Sequence, residues 1–390
     1  MTTAPVQSAP PAPAPAPAPD LDPYELATPW ADELNRDVEE FDARAEFPWE
    51  KWRTIRRSGI LTVPFDTRYG GRGGTLTDTM RALEGLGYTC RDAGLGFSAS
   101  TQIVSVGVPL QAFAREELKS RYLPRIVSGE LVTAHAITEP DHGSDAMNIS
   151  TTARRDGDAY VIDGGKMFIT NAPIADLFLL YVRTGEPGPF GLSVFLVERD
   201  TPGLVVGEPL AKMGLRTSPL SEVTFDRLRV PAAHRVGQEG AGFLILDHVM
   251  KREILFSFSL TLGEMSHRLE RVIHQARTRR QFDQPIGRFQ AVSHRIADMK
   301  IAVETSRKWL TDTGAKVEAG QDTAIDIAAT KTVVSEANKS TALDAVQIFG
   351  GQGYLTGTGI ERDVRNAVGG TIYSGTSEIQ RNRIAALLGL

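Results

Sequence analysis

Ala134-His135-Ala136-Ile137-Thr138-Glu139-Pro140-Asp141-His142-Gly143-Ser144-Asp145 decides how the chain is read, because its character changes there. Pro140 and Gly143 force turns, and Thr138 and Ser144 set hydroxyls beside main-chain N–H groups. Such a loop can cradle a ring edge and a pyrophosphate through neutral donors. Taken alone, the stretch reads better as a polar surface loop.

Upstream of this stretch the pattern is helical from about residue 30 to 130, broken at Pro64 and at the glycine run Tyr69 to Gly74. That run lacks a preceding buried strand and a Lys-Ser/Thr ending, so it reads as a turn and not a phosphate loop. Acidic residues dominate Asp20 to Glu40, which marks a solvated leading helix. Pro10 to Pro19 alternate Pro and Ala, a composition that favours extended chain and builds no core.

Downstream, short β-rich runs appear at Tyr160 to Ile162, Leu177 to Val182, Leu192 to Val197 and Glu222 to Phe225, separated by turn signals such as Glu186-Pro187-Gly188. Their spacing predicts an antiparallel β-barrel or sandwich. After Gly242 long helical periodicities return, interrupted at Gly350 to Gly353. The expected organisation is α+β: a tail over 1–22, a helical N-terminal domain over 23–131, a β-domain over 132–235 and a C-terminal helical bundle over 236–390.

Composition narrows the function. The 390 residues are 41% hydrophobic and 23% charged, with a net charge of −5 that gives no nucleic-acid footprint. Cys90 is the only cysteine, which excludes an intrachain disulfide and a cysteine-based zinc site. No Lys or Arg precedes Arg36, and the strongest apolar stretch, Leu177 to Val182, suits a buried strand. A cytoplasmic protein with no membrane partner is expected, and no metal. No G-x-G-x-x-G follows a strand, so a dinucleotide must be held by other means.

Further motifs follow the opening one in order. They are Lys166-Met167-Phe168-Ile169-Thr170-Asn171, Arg279 to Gln290 (RRQFDQPIGRFQ), Gln347 to Tyr354 (QIFGGQGY) and Ile372 to Gln380 (IYSGTSEIQ). From about Tyr69 to the C-terminus this ordered set resembles the acyl-CoA dehydrogenase family. The resemblance implies an α-β-α subunit with a C-terminal four-helix bundle, FAD between the β-domain and the bundle, and a homotetramer. It implies that Ile137, Thr138 and Thr170 hold the flavin ring, Phe168 packs on it, and Gly143 and Ser144 meet the pyrophosphate or thioester chain. Arg279, Gln281, Phe282 and Gln290 resemble the segment that reaches the FAD of a neighbouring subunit. Gln347, Gly350 and Gly351 resemble its partner there, and Thr376 and Glu378 close the pocket. His142 stands where relatives carry a small residue, and no chemistry is assigned to it.

The chemistry so implied is loss of a proton and a hydride from adjacent carbons of an acyl thioester, carried by CoA or a carrier protein. Electrons would pass to an electron-transfer flavoprotein or another acceptor. Proton removal needs a carboxylate in a dry pocket. Many relatives place it before the Gly-Thr of the C-terminal motif, where this chain has Ser374. In isovaleryl- and long-chain-type members it lies on the first long helix of the C-terminal domain, and counting back from Gly263 puts Glu253 there. Leu246, Val249, Met250, Phe256, Ser257 and Leu260 fall three, four or seven residues from it, so Glu253 interrupts an apolar stripe. The competing reading is a surface pair with Lys251 or Arg252. The Ser374 main-chain N–H is expected to polarise the thioester carbonyl. Ile254 replaces an Arg common in relatives and is expected at the substrate. A flavin oxidase or monooxygenase, and a homologue without flavin chemistry, are the alternatives.

Overall fold

The computed structural model describes residues 21–390 apart from 187 and 189. The Pro/Ala tail, and Pro187 of the expected turn, lie outside the described residues. The acidic leader forms three short helices, a 3-10 helix over Pro23–Trp30 and α-helical segments over Ala31–Asn35 and Val38–Arg44, instead of one, and Leu26, Ala27 and Leu34 are buried within them.

The N-terminal helices are α1 (Trp49–Ser58), α2 (Leu76–Thr89), α3 (Ala93–Gln102) and α4 (Glu116–Val127). Thr75 and Asp78 form a reciprocal capping box that starts α2. The glycine run ahead of it is a turn: the Gly73 and Gly74 N–H groups donate to the Phe65 and Val63 carbonyls. Cys90, buried at the end of α2, has its thiol pushed up to about 12, chiefly by burial. Ala93–Phe113 is long and apolar enough to cross a membrane, which the sequence reading did not single out. Burial of 89% of that window inside the fold makes it a core helix.

Strands β1 (Thr133–Ala136), β2 (Thr152–Asp156), β3 (Ala159–Thr170), β4 (Leu177–Arg183), β5 (Leu192–Glu198), β6 (Leu204–Val206), β7 (Leu220–Pro231) and β8 (Arg235–Val236) make one sheet. The path runs β6-β7-β3-β2-β4-β5-β8, with β1 beside β4. One expectation is corrected: the sheet is mixed, since β1 runs parallel to β4 with His135 opposite Leu179. The long loop after β1 crosses over before the β2–β3 hairpin, so β1 and β4 point the same way. β4 is apolar throughout because it has two buried faces. Leu177, Leu179 and Tyr181 join the helical core, whereas Phe178, Leu180 and Val182 fill the interior of the sheet.

The C-terminal part contains α5 (Gly242–Thr278), α6 (Gln290–Glu318), α7 (Ala324–Phe349), α8 (Ile360–Gly370) and α9 (Ser377–Leu387). Buried Arg268 ties three of them together. Its guanidinium donates to Asp363 Oδ2 at 3.0 Å, Asn338 Oδ1 at 2.9 Å and Thr341 Oγ1 at 3.2 Å. α5 also lies against α2 with main chain on main chain. A Cβ on Gly87 would sit 1.9 Å from the Leu260 carbonyl oxygen, and one on Gly263 would sit 2.0 Å from that of Glu84. This crossing leaves no room between the two helices two to three turns beyond residue 253.

Candidate active site

Along α5 the two cations beside Glu253 are engaged on their own helix. Lys251 pairs with Asp247 at 2.7 Å, and Arg252 donates to the His248 carbonyl at 3.2 Å. Glu253 therefore turns inward, with its side chain 15% exposed. The surface-pair reading does not hold.

Its Oε1 accepts a 2.5 Å hydrogen bond from Ser374 Oγ. Its Oε2 lies 3.3 Å from His135 Nε2 and has no hydrogen-bond partner among the described residues. The Tyr181 hydroxyl is buried without a partner, and burial, then the charge of Glu253, pushes its pKa up. Ser374 thus contributes a side chain as well as a main chain, a link the sequence did not disclose.

Ser374 sits at φ 54°. A non-glycine residue in the left-handed region stores strain that its surroundings must impose. Buried Gln380 imposes it, donating to the Ser374 carbonyl at 2.9 Å, while Thr376 caps α9 by accepting from the Ile379 N–H at 3.3 Å.

One turn beyond Glu253, on the same face of α5, Ser257 Oγ lies 3.4 Å from Ser100 Oγ of α3, and both are buried. Two turns on, Leu260 meets Gly96 and Gly87. Tyr373 fills the side, its ring 4.8 Å from Phe97 and 5.8 Å from Phe258. Side chains therefore close this face of α5 one and two turns from the carboxylate.

In the β-domain, the β3–β7 register slips between Lys166 and Ile169. Within the slip Phe168 has φ 59° and is 57% exposed, the bulge geometry that re-aims a side chain. Thr170 follows on the same strand, half-buried, and the Met167 N–H donates to the Thr138 carbonyl at 2.8 Å. Thr138, Phe168 and Thr170 are thereby brought together. Beneath them lies an ion pair that sequence reading missed. Lys166 Nζ donates to Glu139 Oε1 at 2.8 Å and to the Ile137 carbonyl at 3.0 Å. Glu139 also accepts from Ser150 N and Oγ and from Thr151 N. Burial would raise the Glu139 pKa, but the Lys166 charge and these donors outweigh it and hold the group at about 2. A lysine inside a strand otherwise rich in apolar residues was the available signal.

Gly143 and Ser144 are exposed, as are Gln290, Gln347, Gly350 and Gly351. Arg279 and Gln281 lie on an exposed hairpin with Phe282, 88% exposed at φ 50°. At ~1.5 Å per residue the end of α5 is roughly 37 Å from Glu253, so one chain does not bring this hairpin to its own base. Gln275 Nε2 donates to Gln352 Oε1 at 3.4 Å, which sets the 347–352 turn beside the same end of the bundle. Ile254 is corrected: at 1% exposed it belongs to the apolar core and has no surface for substrate, because the next residue on a helix turns about 100° away.

This architecture matches known proteins along almost its whole length. Residues 27–130, 134–228 and 240–389 match the N-terminal, middle and C-terminal domains of acyl-CoA dehydrogenase. The chain belongs to the acyl-CoA dehydrogenase family. It is an FAD-dependent oxidoreductase acting on CH–CH groups. It is 42% identical to an L-prolyl-(peptidyl-carrier protein) dehydrogenase of Pseudomonas fluorescens, over 88% of this chain and 91% of that one. Among solved structures, the FAD complex of PigA superposes with a TM-score of 0.92 at 39% identity, over 95% of this chain and 97% of the other. The prolyl acyl carrier protein oxidase AnaB gives 0.87 at 37% identity, over 93% and 99%. The chain presents residues that suit the flavin: an exposed aromatic at the Phe168 bulge, flanked by the neutral hydroxyls of Thr138 and Thr170.

Proposed function

We propose that this enzyme dehydrogenates the Cα–Cβ bond of a compact acyl thioester, a prolyl group on a carrier protein, with Glu253 as the base. The observation that carries the reading is the inward carboxylate, tied to Ser374 above a floor closed one turn below. A compact group such as a prolyl ring suits a face closed that near the carboxylate. The carrier-bound substrate is supported by the prolyl dehydrogenase and oxidase relatives.

Bound FAD supplies the acceptor for the hydride that leaves the β-carbon. Glu253 takes the α-proton, and the hydroxyl of Ser374 holds the carboxylate in place to receive it. The main-chain N–H of Ser374 polarises the thioester carbonyl, so that charge developing on oxygen meets a fixed donor. Thr138, Thr170 and the Phe168 ring hold the flavin, with Ile137, Gly143 and Ser144 lining its approach. Arg279, Gln281, Phe282 and Gln290 of one subunit, with Gln347, Gly350 and Gly351, serve the FAD of the next in a homotetramer. Thr376 and Glu378 close the pocket.

The test is anaerobic mixing of FAD-loaded wild type and Glu253→Gln with L-prolyl-carrier protein while flavin absorbance is followed. Glu253→Gln should keep its colour and fold but bleach about 10²–10⁴-fold more slowly. Bleaching at the wild-type rate removes Glu253 as base. A second reading, an oxidase that reoxidises with dioxygen, is favoured by the oxidase relative. Stoichiometric peroxide in air, with no other acceptor present, decides for it over transfer to an electron-transfer flavoprotein.

A further inference from the structure

Three buried polar atoms around the reacting position have no hydrogen-bond partner among the described residues: His135 Nδ1, the Tyr181 hydroxyl oxygen, and Glu253 Oε2, which has only its 3.3 Å contact with His135 Nε2. Unpaired buried donors and acceptors are costly, and a pocket for a plain alkyl chain gains nothing from them. Their clustering follows from the sheet. His135 lies opposite Leu179, and Tyr181 is the next residue on the same face of β4, turned into the helical core where it feels the charge of Glu253.

His135 Nε2 lies 3.3 Å from Glu253 Oε2. A base must approach the α-carbon from the side of its hydrogen, so an imidazole beside the carboxylate also borders the other substituents of that carbon. An alkyl substituent would leave the imidazole and the phenol unsatisfied. A nitrogen with an N–H would satisfy them. The imidazole can accept from it through one ring nitrogen, and the phenol can donate or accept.

We propose that His135 and Tyr181 form an α-amino subsite, which makes the enzyme selective for thioesters whose α-carbon bears a nitrogen. His135 is the specificity-determining residue, and Tyr181 completes the pocket behind it. The inference rests on the prolyl reading above and adds the residues that tell prolyl from a carbocyclic acyl group of the same shape.

The experiment compares L-prolyl and cyclopentanecarbonyl thioesters on the same carrier protein, which differ by NH against CH₂. The FAD-loaded wild type, His135→Leu, His135→Gln and the near-isosteric Tyr181→Phe are followed by anaerobic flavin bleaching. Wild type should favour prolyl by about 30-fold or more in kcat/KM, since a site built around a hydrogen bond rejects the analogue that lacks it. In His135→Leu that ratio should fall by about tenfold or more, in Tyr181→Phe by a smaller factor, and His135→Gln should recover part of it. A second readout avoids turnover. In a Glu253→Gln background, flavin spectral titration should show that His135→Leu weakens binding of the prolyl thioester and not of the carbocycle.

A ratio in both His135→Leu and Tyr181→Phe within about threefold of wild type overturns the subsite even if both rates drop, because the ring would then only brace Glu253. That result leaves the prolyl reading standing. A wild-type enzyme bleached by the carbocycle and untouched by prolyl overturns both.

Discussion

Replacing Lys166 by Met would test whether the ion pair beneath the flavin loop holds that loop in place. The side chain is nearly isosteric along its stem, and Lys166 and Glu139 are 1% and 2% exposed, so the change removes a charge and little volume. Removing one member of a buried pair leaves the other uncompensated, at about 3–5 kcal/mol. Ser150 and Thr151 still donate to Glu139, which places the expected cost near the lower end, about 3 kcal/mol. The pair pins the segment that carries Thr138, Gly143 and Ser144. If all of that cost falls on ordering the loop, FAD binds roughly 100-fold more weakly, since ~1.4 kcal/mol is tenfold. Fluorescence titration of the apoprotein with FAD measures this. Unfolding of a chain this size need not be two-state, so a double-mutant cycle with Glu139→Gln on the FAD affinity is the cleaner readout. The double variant should recover about half of the loss or more, because a neutral amide still accepts from Ser150 or Thr151. A single variant that binds FAD within threefold of wild type, or a double variant whose losses simply add, would refute the reasoning.

Other expectations follow from the same geometry. Glu139 stands at about 2 when folded, below its ordinary 4.5, so its contribution is complete above about pH 4.5 and drains away as pH falls towards 2. FAD release on acid titration should follow that window and begin at higher pH in Lys166→Met. Ser374→Gly eases the positive φ while deleting the hydroxyl on Glu253. Loss of a hydrogen bond to a charged group, about 1.5–3 kcal/mol, should slow flavin reduction roughly 10–100-fold, and an unchanged rate would dismiss the hydroxyl. Gly263→Ala would place a methyl 2.0 Å from the Glu84 carbonyl oxygen. A drop in stability of about 1–3 kcal/mol or more is expected by thermal unfolding, and a neutral result would mean the helices part freely.

The division into helices, strands and helices was legible because alternation, turn residues and helical periodicity are local. β1 escaped because four residues show no reliable alternation, and its parallel partner lies more than forty positions away. Glu253 was legible since helical spacing alone sets it in an apolar stripe. The bond to Ser374 spans 121 residues, and the one between Lys166 and Glu139 spans 27. A local pattern can flag one member, as Lys166 in its apolar strand, but it does not name the partner. His135 was quoted within its motif but passed over, since its neighbours across the sheet and on α5 give it meaning. Ile254 was misplaced for the converse reason: helix phase turns it into the core, and comparison of motifs ignores phase.

The crossing of α2 and α5 bears on any attempt to broaden what this enzyme accepts. In most binding sites a cramped floor is built of side chains, and trimming them makes room. Below Leu260 the obstruction includes the carbonyls of residues 84 and 260 themselves, and Gly87 and Gly263 have nothing left to trim. Substitution there can only raise the floor. Room beyond what trimming Leu260 frees would come only from tilting or shortening a helix, so past that side chain the backbone sets the limit.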